Sequence, residues 1–171
     1  MTVSTKGEQV HVQAPGFRFI SEHTLARLKD GLTVRVEIEM RVLAGPGAAT
    51  AAAQTKQAFV LSYDLWEERF AATVSGSSAV AGSGSRSMSH LTAAAAEAWC
   101  IEQLTVPVSG LGSLRTQQFW IRLDSQLIDG KSTTRDDEGL TLRGIIDTLS
   151  RRQTSEKTSH SAEGGPFTVR P

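Results

Sequence analysis

Leu32-Thr33-Val34-Arg35-Val36-Glu37-Ile38-Glu39-Met40-Arg41-Val42-Leu43 decides how the chain is read. Val34, Val36, Ile38, Met40 and Val42 alternate with Arg35, Glu37, Glu39 and Arg41. Side chains on a strand point to opposite faces in turn, so strict period two means a long strand with one dry and one wet face. One wet face is the mark of an antiparallel sheet. The charges alternate in sign, which suits ion pairs between neighbouring strands. Upstream, Ser21 is a good helix N-cap, Leu25 and Leu28 share a face, and Asp30-Gly31 ends the helix. Downstream, Gly45-Pro46-Gly47 opens a loop through Ala53, and Ala58 to Tyr63 reads as the next strand. Asp64 to Glu67 turns that strand back, and Arg69 to Val74 returns as its hairpin partner.

Further out, residues 8–14 alternate through Val10, Val12 and Ala14, and Phe17 and Phe19 continue the strand after Pro15-Gly16. Gly76 to Ser87 reads as a loop. Ser87 or Ser89 then caps an alanine-rich helix over His90 to Leu104, with Leu91, Ala94, Ala95, Ala98 and Ile101 as its apolar stripe. Phe119, Ile121, Leu123 and Leu127 carry another strand, with Ser125 pointing inward and in need of a partner if buried. Ser132 to Glu138 is a polar loop, and Leu142, Ile145, Ile146 and Leu149 outline a third helix. These elements predict an α+β fold: an antiparallel sheet of five or six strands, two main helices on one face and a third near the C-terminus. The alternative is a β-sandwich with helical connections. Residues 1–7 read as a flexible N-terminus, 8–152 as the domain, and 153–171 as a polar, mostly flexible tail. A chain cut after Gln153 is therefore expected to melt almost unchanged.

The chain has 171 residues, 39% hydrophobic and 21% charged, with Lys+Arg and Asp+Glu equal at 18 each. That composition supports one folded domain and rules out a charged disordered chain. A neutral balance without basic runs leaves no electrostatic footprint for nucleic acid or anionic lipid. No stretch is long enough for a membrane helix, so no membrane insertion is expected. The polar start Met1-Thr2-Val3-Ser4-Thr5-Lys6 contains no apolar leader core. Cys100 is the lone cysteine, which excludes an intrachain disulfide and reads as a small buried hydrophobe.

Patterns that carry chemistry are sparse in the chain. His11, His23, His90 and His160 are widely spaced, and neither they nor Cys100 fall at metal-ligand spacing. Gly82-Ser83-Gly84-Ser85-Arg86 lacks the phosphate-loop lysine. Asp129 and Asp136-Asp137-Glu138 do not match a calcium loop and read as solvated charge. No catalytic residue, metal or cofactor is expected. The unusual stretch is the hairpin: Tyr63, Leu65 and Trp66 put large side chains where turns normally place Gly, Asn or Asp, with Glu67 and Arg69 as a charged rim. Either Trp66 folds over a core edge or it serves as a contact for another protein. Trp99 and Trp120 read as core or half-buried residues.

The helix with Asp30-Gly31 at its exit, the long alternating strand, the Tyr63-Asp64 hairpin and Trp120-Ile121-Arg122-Leu123-Asp124-Ser125-Gln126-Leu127 recur in one order. Over residues 8–130 the chain resembles an uncharacterised bacterial family of small, usually exported proteins, often found beside sensor histidine kinases. It departs from that family in lacking paired Arg/Trp residues after the long strand and in its C-terminal region. The resemblance implies an extracytoplasmic (periplasmic) location and a link to an envelope or signalling system, and brings no catalytic residues. The functional expectation is a non-enzymatic binding or protein-interaction module with an unknown protein partner. The alternative is an enzyme whose site is assembled from residues distant in sequence.

Overall fold

A computed structural model describes residues 1–75, 86–128 and 159–169. The long alternating stretch becomes β3 (Val34–Leu43), at the centre of a six-stranded antiparallel sheet. Its neighbours are β4 (Ala51–Asp64) and β8 (Phe119–Ile128), and the sheet extends through β5 (Arg69–Ser75) to β6 (Ser87–Leu91) and, on the other side, to β9 (Ser159–Phe167). Val34, Val36, Ile38, Met40 and Val42 are all buried, while Arg35 is exposed and Glu37, Glu39 and Arg41 are half-buried. Register decides which side chains share each face. Ile38 lies between Gln57 and Ser125, and Glu39 between Lys56 and Asp124.

The α+β expectation holds, with a second sheet added to it. β1 (Thr2–Lys6), β2 (Gln9–Gln13) and β7 (Thr105–Pro107) form a three-stranded antiparallel sheet in the order β1-β2-β7. This sheet and two helices, α1 (Glu22–Lys29) and α2 (Ala93–Glu102), cover the apolar face of the large sheet. One core joins the layers: Val10, Val12 and Val106 from the small sheet, Leu28, Ala96, Cys100 and Ile101 from the helices, and Phe59, Phe119 and Ile121 from the large one. After β7 comes a 3₁₀ segment (Val108–Arg115), kinked at the non-helical Gly112 and anchored by Val108, Leu111 and Leu114. The expected helix over 142–149 lies outside the described residues, as do the loop at 76–85, the loop at 132–138 and the acidic residues 129 and 136–138.

Helix α1 begins where its cap residue said it would: Ser21 Oγ accepts from Thr24 N at 3.2 Å. Gly31, at φ 80°, supplies the left-handed exit. Other boundaries differ. Residues 1–7 are not a free end, because β1 pairs with β2 across a two-residue turn in which Gly7 alone takes positive φ, at 59°. Phe17 and Phe19 are buried, but their segment is irregular rather than strand. The alanines at 51–53 begin β4, paired with Val42 and Leu43, so sheet pairing overrides their helix preference. Ser87 and Ser89 lie in β6, and Thr92 caps α2 by accepting from Ala95 N at 3.2 Å. The buried face of α2 is Ala96, Glu97, Cys100 and Ile101, while Ala94 and Ala98 are exposed. Finally, the polar segment 159–167 is not a loose tail but β9, paired along β8.

Ile38 is 0% exposed at the middle of the central strand. Ile38→Ala is expected to cost about 3 kcal/mol, through lost burial and the cavity left behind. Glu37 pairs with Lys56 at 2.6 Å on the wet face. Glu37→Lys is expected to cost about 1 kcal/mol or less, because exposed ion pairs contribute little. Denaturant melts returning the reverse ranking would overturn the assignment of faces.

Candidate functional site

The β4–β5 hairpin brings the sequence candidates together. Its last pairs are Tyr63 with Phe70 and Asp64 with Arg69, leaving Leu65 to Glu68 as the turn. Asp64 Oδ1 accepts from Trp66 N at 2.8 Å and from Glu67 N at 3.1 Å. An aspartate bonded to its own following backbone is a turn-former, which explains why a turn rich in large side chains closes here. The backbone donors of Glu67 and Trp66 outweigh the small desolvation and hold the Asp64 carboxyl below its ordinary range. Glu68 completes the reversal at φ 54°.

This clamp leaves Trp66 97% exposed and Leu65 56% exposed, so Trp66 does not fold over a core edge. Tyr63 is different. It is half-buried, and its ring meets Phe70 edge-on at 4.9 Å, so it ties the base of the hairpin to the core. Glu67 turns sideways, and its carboxylate lies 2.7 Å from His90 Nδ1 on β6. From the sequence, His90 is expected in the first turn of the alanine-rich helix. It sits instead at an irregular point of an edge strand, at φ 59°. Beside the tip, Tyr63, Glu67, Arg69, Phe70 and His90 line a cleft of about 260 Å³. The sequence candidates Tyr63, Leu65, Trp66, Glu67 and Arg69 are thus one surface feature, with Trp66 and Leu65 outermost and His90 added to the rim.

Several other polar groups are paired with one another or enclosed. On the wet face of the large sheet, Arg41 binds Asp124, Arg122 reaches Asp124 at 3.2 Å, and Glu37 holds Lys56. Burial raises the Asp124 carboxyl, but hydrogen bonds from Arg41, Ser161 and Arg122 outweigh it and hold it below the usual carboxylate range. This is a self-compensated lattice of both signs. Inside the core, Ser125 is buried and stands opposite His160 in the β8–β9 register, and both Ser125 Oγ and His160 Nε2 are buried without a hydrogen-bond partner among the described residues. Arg86, from the glycine-serine segment, reaches Gln103 Oε1 at 3.5 Å. Among the described residues no three His, Cys, Asp or Glu side chains converge as metal ligands, and no helix is long and apolar enough to cross a membrane.

Glu97 is the polar residue whose role the sequence reading missed. Its side chain is 2% exposed, and Oε1 accepts from Phe19 N at 2.8 Å and from Ile20 N at 2.9 Å. Oε2 takes a hydrogen bond from Arg18 Nη1 at 3.0 Å. A buried carboxylate that collects two backbone donors and a guanidinium is a structural clamp, and it holds the irregular Phe17–Ile20 segment against α2. Cys100, one turn further along α2, is buried. Burial, with a contribution from the charge of Glu97, pushes its thiol up to about 12. Native protein is therefore expected to resist thiol reagents at neutral pH, because the thiolate is the reactive form. Labelling should appear only as the protein unfolds in denaturant. Stoichiometric labelling of the native fold within minutes would contradict this placement.

Comparison with known proteins finds no matching family model, no matching curated protein and no matching solved structure.

Proposed function

We propose that this domain is a non-enzymatic protein-interaction module that contacts its partner through the β4–β5 hairpin tip. The observation that carries this reading is Trp66, 97% exposed on a turn clamped from below by Asp64. Exposing an indole to water forgoes the burial of a large apolar group, and a rigid tip has little conformational entropy left to lose on docking. Trp is also the residue type most enriched among interface hot spots. Leu65 widens the apolar patch, and Glu67, Glu68 and Arg69 give it the polar rim typical of interfaces. The resemblance to exported proteins found beside sensor kinases favours a partner in the bacterial envelope or a signalling system.

Trp66→Ala is expected to weaken partner capture by about 2 kcal/mol, roughly 30-fold, with an unchanged melting temperature. The measurement is quantitative capture by immobilised wild type and variant, with thermal melts of both in parallel. A stable variant that retains the same partners to the same extent would remove the hairpin from consideration.

A further inference from the structure

A second and larger cleft, of about 580 Å³, opens where the β1–β2 turn meets the two ends of the 3₁₀ helix and the segment after β9. The local structure fixes its walls. Val108 N donates to Glu8 O at 2.8 Å, which ties the start of the 3₁₀ helix to the turn. Buried Val108, Leu111 and Leu114 anchor that helix and leave Ser109, Arg115 and Thr116 at the surface. The cleft is lined by Glu8 and Arg115, by the apolar Val108 and Val169, and by the hydroxyls of Ser109 and Thr116, among others.

Glu8 and Arg115 line one cleft without meeting each other. Among the described residues neither side chain has an ion pair or hydrogen bond. This contrasts with the wet face of the sheet, where Glu37, Arg41, Lys56 and Asp124 are all paired. An apolar ligand would desolvate two charges that have no partner among the described residues, and a ligand of one sign would be repelled by one of them. A ligand with both signs satisfies both. The guanidinium fork matches a carboxylate, and a carboxylate is the natural acceptor for an ammonium. The volume falls within the range of roughly 300–1,000 Å³ typical of small-molecule sites.

We propose that this cleft binds a zwitterion carrying an α-carboxylate and an α-ammonium, an amino acid or short peptide with free ends, with the carboxylate on Arg115 and the ammonium on Glu8. Val108 and Val169 contact its apolar part. The site is independent of the hairpin tip and stands or falls without it.

The test is a titration of ¹⁵N-labelled protein with valine, divaline and trivaline, and with the same peptides acetylated at the N-terminus or amidated at the C-terminus. Free-ended ligand should shift the backbone amides of Gly7, Glu8, Ser109 and Thr116, and the length that binds best distinguishes amino acid from peptide. Glu8→Gln and N-acetylation should each weaken binding at least about tenfold, but acetylation should cost nothing further in Glu8→Gln protein. Arg115→Gln and C-amidation should behave as the matching second pair. Both side chains are exposed, so both variants should keep the wild-type melting temperature. Absence of shifts at these amides, equal binding of the end-blocked forms, or additive losses in the matched pairs would each overturn the proposal.

Discussion

A chain ending at Gln153 is expected to melt at least about 10 °C below the full-length protein, or to lose its cooperative transition. β9 pairs along β8 from Phe119 to Gln126, with Phe119 opposite Phe167, Leu123 opposite Ala162 and Asp124 opposite Ser161. Phe119, Ile121 and Leu123 are fully buried, and the Phe119 and Phe167 rings lie 6.1 Å apart. Gly165 lies so close to Trp120 that a Cβ there would stand 2.6 Å from the indole Cδ1. Removing β9 uncovers this apolar margin and turns β8 into an edge with a row of unpaired backbone groups. Losing several kcal/mol of burial corresponds to roughly 2–4 °C per kcal/mol in a chain of this size. A melting temperature within about 2 °C of full length would show that β9 contributes nothing, and would restore the polar-tail reading of its composition.

That composition explains why the strand was hard to see. Ser159 to Phe167 reads Ser-His-Ser-Ala-Glu-Gly-Gly-Pro-Phe, with few β-branched or large apolar residues. It is an edge strand, the one place where a sheet tolerates Gly and Pro, and its partner supplies the apolar surface. β1 escaped for a related reason: it is short and mostly exposed, and its signal is the Gly7 turn rather than an apolar run. β3 lay open to reading because a central strand with one wet face writes its period directly into the sequence. The β4–β5 hairpin was legible because Asp64 marks the turn and the flanking strands are apolar. Its place in space was not. Whether Trp66 turns inward or outward depends on hydrogen bonds within the turn, and these leave no periodicity. The 580 Å³ cleft joins Glu8, Arg115 and Val169, three positions that only the packing of two sheets brings together.

α2 shows a different limit. A helix of alanines carries almost no phase, since each alanine face is as small and apolar as the next, and two members of the expected stripe, Ala94 and Ala98, are exposed. The residue that sets the true phase is Glu97, which a hydrophobicity reading sends to solvent. Glu97→Ala is accordingly expected to cost about 4 kcal/mol. It leaves the Phe19 and Ile20 amides without their acceptor, at roughly 1–3 kcal/mol for each unsatisfied group, and takes the partner from Arg18. Glu97→Gln keeps a carbonyl oxygen where Oε1 receives both amides, but it replaces the Oε2 acceptor with an NH2 donor facing the half-exposed Arg18, so about 1–2 kcal/mol is expected. Arg18→Ala should cost about 1 kcal/mol, because the Arg18 side chain is 56% exposed and the two backbone bonds survive. The order Ala, then Gln, then the Arg18 variant, measured by denaturant melts, is the signature of an acceptor clamp. If Glu97→Gln were as damaging as Glu97→Ala, the charge pair with Arg18 would be the dominant interaction. If Glu97→Ala cost less than about 1 kcal/mol, the Phe17–Ile20 segment would be held by its two phenylalanines alone, and the clamp would have no energetic role.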